Sequence, residues 1–205
     1  MANTLDAKKL VEDFGKVLAE DGTINLDVYV EAYDYLGQLF NLLGTVFSFV
    51  HSDVHEKIGI LRHHLKTTGD VYSTVQAMMK YEMDNNLTAA KTSPLSGSRT
   101  LLRLHRALAF IIQFLGKVES LNPGDGTSGI AREAYGATLA NHHTFLVRQM
   151  ASAAMLTLPY RDPLIVKLFG DASALQDLQE FVRTITPVYD AVDALYTKND
   201  LHRLP

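Results

Sequence analysis

Residues 99–121 read RTLLRLHRALAFIIQFLGKVESL. At about 100° per residue, a helical period places Arg99, Arg103 and Arg106 within roughly 60° of one another. Phe110 and Phe114 continue that stripe, while Leu101, Leu104, Leu108, Ile111, Ile112 and Leu115 cover the far side. A helix apolar on nearly every face belongs in a protein interior. The arginines are therefore expected on a partly buried face, where clustered guanidinium groups repel and lose hydration. Arginine does not shed its proton, so the offset has to be a carboxylate from elsewhere in the chain or a bound anion. The stripe alone leaves both open. Its continuation into Phe110 and Phe114 suits an amphiphile with an anionic head.

The helical period extends in both directions. Helices are predicted over 5–19, from an N-cap at Asn25 through 40, over 45–65 after a break at Gly44, and from a cap at Asp70 over 71–85. The stretch 88–98, rich in Ser, Thr, Pro and Gly, reads as a loop. After the break at Asn122-Pro123-Gly124-Asp125-Gly126, helices fit 130–140 and 144–156, either separate or continuous. A short one follows Asp162-Pro163 and a last one covers 172–196. Period-2 strand patterns are scarce and hairpin turn signals are absent. The expected fold class is all-α, with about eight helices in a single domain over 1–205.

With 205 residues and 47% hydrophobic content the chain can bury a core without staples. It has no cysteine, which excludes disulfides and thiolate metal sites and suits a reducing, cytoplasmic setting. The opening 20 residues space Asp6, Lys8, Lys9, Glu12 and Asp13 as an amphipathic helix and not as a signal peptide. No apolar run reaches the roughly 18 residues of a membrane span, so any membrane contact is at the surface. The net charge of −4 argues against a nucleic-acid partner and requires any anion site to be a local concentration of positive charge.

Asp53 and Lys57, four residues apart, share a helix face among Phe47, Phe49, Val50, Val54, Ile58 and Leu61. Alone they read as an ordinary ion pair. If their helix packs beside the arginine helix, Lys57 adds a cation and Asp53 an acceptor for an amide N–H or hydroxyl. His51 and His55 have a spacing zinc uses, but no glutamate stands where a metalloprotease motif needs it, so no metal is expected. No Gly-x-Ser-x-Gly elbow or glycine-rich phosphate loop occurs, and neither catalysis nor a cofactor is expected.

The stretch Leu39-Phe40-Asn41-Leu42-Leu43-Gly44-Thr45-Val46-Phe47-Ser48-Phe49-Val50, with Asp53 and Lys57, resembles the glycolipid transfer protein superfamily. So do Arg99-Thr100-Leu101-Leu102-Arg103-Leu104-His105-Arg106-Ala107-Leu108, His143 with Val147-Arg148, and Leu158-Pro159 with Arg161. The likeness runs through Leu204-Pro205 and favours the branch that carries ceramide-1-phosphate. It implies a two-layer helical sandwich with the lipid chains between the layers. By the resemblance, Lys57, Arg99 and Arg103 bind phosphate, with Arg106 in support. Asp53 and His143 then hold the ceramide amide. Glycolipid-binding members carry a tryptophan in place of Arg103 and an asparagine in place of Lys57, whereas this chain has no tryptophan.

The apolar lining expected from this reading is Phe40, Leu43, Val46, Phe47, Val50, Val54, Phe110 and Phe114, any of which would serve equally as plain core. Phe145 stands where the family usually has a membrane-meeting tryptophan; it lacks the indole N–H favoured at interfaces. The expected activity is transfer of ceramide-1-phosphate or a related phosphosphingolipid between membranes, by a cytoplasmic monomer that touches them transiently. The alternatives are a sensor or adaptor that binds the lipid without delivering it, and an enzyme acting on it.

Overall fold

The computed structural model describes residues 4–205; residues 1–3, which open the expected amphipathic stretch, lie outside the described residues. Among the described residues nine α-helices form: α1 (Ala7–Gly15), α2 (Leu26–Leu43), α3 (Ser48–Thr68), α4 (Val75–Asp84), α5 (Gly97–Glu119), α6 (Ser128–Ala137), α7 (Phe145–Met155), α8 (Arg161–Phe169) and α9 (Leu175–Lys198). Short 3-10 turns precede α3, α4, α7 and α9. The chain is all-α, as expected, with nine helices where about eight were expected. The region 130–156 is two helices because a 3-10 turn at Ala140–His142 interrupts it and the Thr144 hydroxyl accepts the Val147 N–H to start α7.

Helix ends follow local chemistry. Asp6 caps α1 by accepting from Lys8 and Lys9, and Asn25 caps α2 by accepting from Val28. Gly44 ends α2 at φ +116°, a conformation that disfavours any side chain, and the Lys167 ammonium donates to the Leu43 carbonyl there. Asp70 does not cap α4. It lies in a 3-10 turn, Gly69–Tyr72, and the Thr74 hydroxyl caps α4 by accepting from Ala77. Asp162 and Pro163 fall inside the first turn of α8 and do not precede it. There an N–H has no intrahelical partner to lose, so proline costs little.

Helix α5 begins two residues earlier than its arginines suggest. Ser96 caps it by accepting from Arg99, and the buried Glu82 carboxylate accepts the Gly97 N–H at 2.6 Å and the Ser98 N–H at 2.9 Å. Tyr72 donates to the same carboxylate at 2.6 Å. Three donors make burial of that charge tolerable, and a negative group at a helix N-terminus is favourable in its own right. Gly97 is required by close approach: a Cβ would lie 2.5 Å from the Met78 sulfur.

The helices close into a circuit. α1 packs on α2, α2 on α3, α3 on α5, α5 on α9, and α9 back on α1. α6 lies on α5 and carries α7, while α8 lies on α2. Phe14 meets Phe181 edge-on at 5.7 Å between α1 and α9. Tyr33 and Tyr196 are fully buried, and their hydroxyls donate to the Leu104 and Ser98 carbonyls of α5 at 2.8 and 2.7 Å. A buried aromatic stabilises chiefly through its area, and its hydroxyl is tolerated because it is paired. α5 is thus held from α2, α4 and α9, which fixes the direction of its arginine face.

Candidate functional site

Arg99, Arg103 and Arg106 project from α5 onto one half-buried face. Their hydrogen-bond partners are main-chain oxygens of the segment that follows α9. Arg99 Nε donates to the Pro205 oxygen at 2.6 Å, Arg103 Nη2 to the same oxygen at 3.3 Å, and Arg106 Nη2 to the His202 oxygen at 2.6 Å. Among the described residues no Asp or Glu side chain pairs with any of the three. Of the two offsets the stripe leaves open, acidic side chains from elsewhere in the chain are therefore not the one the fold supplies. The Arg106 guanidinium is held below its ordinary pKa by burial first and by Arg103 second. The cluster is electrostatically uncomfortable, and an anion would relieve it.

α3 packs against α5 and carries Lys57 and Asp53, which form an i,i+4 ion pair. The lysine side chain is almost covered and the aspartate is open to solvent. His143, just before α7, feels both: Asp53 raises its pKa and Lys57 lowers it, while burial, the largest influence, leaves it lowered and so neutral at physiological pH. The Tyr135 hydroxyl lies 2.8 Å from His143 Nδ1. With the phenol donating, the ring proton sits on Nε2. That nitrogen is then a donor, which is what an amide carbonyl requires.

His143 also borders an apolar cavity of about 70 Å³. Phe40 from α2, Phe47 from the 3-10 turn before α3, Phe49 and Val50 at the start of α3, Ala107 and Phe110 from α5, and Val147, Ala151, Ala154 and Met155 from α7 line it, with Tyr135 and Leu139. Of the residues expected there, Phe40, Phe47, Val50 and Phe110 do line it. Leu43 and Val54 are buried in the core outside the lining, and Phe114 is core that stacks on Phe110 at 5.7 Å. Val46 is largely exposed. The α7 contribution was not expected, although its spacing of four, three and one is a helical face readable from sequence. Tyr135 had no such signal, because its partner is eight residues away, beyond the end of α6 and the 3-10 turn that follows it. The bonds from the segment after α9 were equally invisible, being made by backbone atoms.

Phe145 and Leu146, at the start of α7, are 69% and 68% exposed, and Leu156 and Tyr160 beyond its end are exposed nearly as much. Monomeric proteins seldom show so many large apolar groups around one short helix. No helix among the described residues is long and apolar enough to cross a membrane. His51 and His55 stack at 6.1 Å on α3, and no group of three candidate metal ligands forms among the described residues.

Comparison with known proteins gives a consistent result. The family model described as glycolipid transfer protein matches residues 24–170. The ceramide-1-phosphate transfer protein of Danio rerio is 37% identical over all of both chains. The crystal structure of the mouse ceramide-1-phosphate transfer protein in its apo form superposes with a TM-score of 0.91 at 34% identity, over 98% of this chain and 100% of that one. The human ceramide-1-phosphate transfer protein in complex with 2:0 ceramide-1-phosphate gives the same TM-score at 31% identity, over 99% of this chain and 100% of that one.

Proposed function

The chain belongs to the glycolipid transfer protein family, and from that premise we propose that it moves ceramide-1-phosphate, or a closely related phosphosphingolipid, between membranes without altering it. The observation that carries the reading is three half-buried arginines, unpaired with Asp or Glu side chains among the described residues, on a helix whose next turns wall an apolar cavity.

The physical requirement is steep. A two-chain lipid with about 30 methylenes loses roughly 24 kcal/mol if its chains enter water, at about 0.8 per methylene. A carrier has to offer an apolar lining while the head selects. The cavity of about 70 Å³ is several-fold smaller than the roughly 300–1,000 Å³ of pockets that enclose drug-sized ligands. Chain uptake therefore requires α6 and α7 to part from α3 and α5. The exposed residues at both ends of α7 support a membrane surface as the setting of that movement, with Phe145 as a contact.

A phosphomonoester carries about −1.5 to −2 charges and three acceptor oxygens. In our reading Arg99, Arg103 and Lys57 answer it, Arg106 supports them, Asp53 takes the amide N–H or hydroxyl, and His143 Nε2 donates to the amide carbonyl. The whole of 1–205 acts as one lipid-binding domain, and the protein works in the cytoplasm with transient contact to membrane surfaces.

The test is vesicle-to-vesicle transfer of chain-matched lipids. Ceramide-1-phosphate should move much faster than sphingomyelin or a galactosyl lipid. Equal rates for the galactosyl lipid would defeat the head-group claim. Binding without transfer would favour a sensor, and a lipid product of altered mass would favour an enzyme.

A further inference from the structure

The segment that follows α9 touches the arginines through three hydrogen bonds, all accepted by its main-chain oxygens. We propose that residues 199–205 form a positioning strap that aims Arg99, Arg103 and Arg106 at the phosphate. This rests on the reading of the arginine face as the head-group site.

The strap is set by the way α9 ends. Asn199 caps the helix, Asp200 adopts φ +53°, and the next two N–H groups turn back: Asp200 to the Thr197 carbonyl at 3.2 Å, Leu201 to the Tyr196 carbonyl at 2.9 Å. That is a Schellman ending, with aspartate at the left-handed position where glycine or asparagine is usual. Leu201 is 7% exposed and pins the turn to the core, and Leu204 packs partly against it. The chain is thereby reversed along α5. The main-chain oxygens of His202 and Pro205 arrive at the arginines as consequences of that turn.

Each arginine gives the strap one of its several donors. Arg99 gives Nε–H, which leaves both of its Nη groups available, and Arg103 and Arg106 each give a single Nη2–H. The bonds therefore orient the planar forks and leave most of their donors for an anion. A free arginine samples many rotamers, and a fork already oriented loses less entropy when it binds. The strap holds the cations together against their mutual repulsion, which is work a head-group site needs done before the phosphate arrives.

The experiment compares Asp200→Val with Asp200→Asn in the full chain. A β-branched residue resists positive φ, whereas asparagine accepts it, and both substitutions remove the same charge from an exposed position. Equilibrium binding is measured to vesicles carrying ceramide-1-phosphate and to vesicles carrying uncharged ceramide of the same chains. The Arg99 Nε–H resonance is followed by NMR. Asp200→Val should weaken ceramide-1-phosphate binding roughly ten-fold, about 1.4 kcal/mol, leave ceramide binding unchanged, and lose the Arg99 resonance to solvent exchange. Asp200→Asn should match the wild type on all three counts. Unchanged or tighter ceramide-1-phosphate binding by Asp200→Val would overturn the strap, the latter by making it a competitor. So would equal weakening for both lipids with helix content retained. If valine prevents folding, Leu201→Ala, which keeps the turn and removes its anchor, takes its place with the same outcomes. A wild type that binds both lipids equally would count against the proposed function and not against the strap.

Discussion

Arg103→Leu separates the two possible roles of the arginine face most cleanly. In the folded chain Arg103 makes one hydrogen bond, at 3.3 Å to the Pro205 oxygen, and it depresses the pKa of Arg106 by repulsion. Losing a long, half-exposed hydrogen bond costs less than about 1 kcal/mol, and relief of repulsion opposes even that. A chain of this length changes Tm by about 2–4 °C per kcal/mol, so the melting temperature should move by no more than about 4 °C. Binding is different. Two charge-assisted bonds from one guanidinium to a phosphate are worth about 1.5–3 kcal/mol each. Their loss predicts a fall in ceramide-1-phosphate transfer of about 10²- to 10⁴-fold, at tenfold per 1.4 kcal/mol. Vesicle transfer gives the rate, and circular dichroism with a thermal melt gives the fold. A variant with transfer within about three-fold of wild type, against the loss expected here, would refute the phosphate assignment. A variant that melts many degrees lower would show that Arg103 is structural.

Three other expectations follow from particular contacts. Tyr135→Phe keeps the ring in the cavity wall but removes the hydroxyl 2.8 Å from His143 Nδ1; ¹⁵N NMR should show His143 shifting from a single tautomer to a mixture, and transfer should fall about five-fold, the cost of one neutral hydrogen bond. His105 is buried against Asp193 and stacked on Tyr189, and burial pushes its pKa down to about 4. The unfolded chain binds that proton near pH 6.5 and the folded one does not, so the stability His105 contributes is full above 6.5 and falls by about 3 kcal/mol as pH drops toward 4; urea midpoints should decline over that window and decline less in His105→Gln. Phe145→Asp should cut partition onto phosphatidylcholine vesicles and slow transfer, while leaving affinity for 2:0 ceramide-1-phosphate in solution unchanged; an equal loss of both would place Phe145 in the lipid site and not at the membrane.

Period and capping chemistry are local, so the helices, the Asn25 cap, the Gly44 break and the arginine stripe were all legible within a few neighbours. The Asp70 cap failed because Thr74 competes for the same role three residues before the first N–H that needs it, and only the packed turn shows which wins. The resemblance placed Asp53, Lys57 and His143 beside one another, which spacing alone could not do for residues separated by as much as ninety positions. The order of residues determined that this is an all-α chain with a local cationic site on an acidic molecule, because hydrophobic period and the spacing of charges are properties of residues in sequence. Tertiary structure decided what the site is made of. It separated Phe110, in the cavity wall, from Phe114, in the core, since both lie on one stripe and only the position of α7 distinguishes them. It supplied the Tyr135 hydroxyl as the hydrogen-bond partner of His143 Nδ1. It also brought the oxygens of His202 and Pro205 to arginines about a hundred residues away. Backbone oxygens are the same in every residue, so no sequence pattern marks which of them will orient a guanidinium; only the fold chooses.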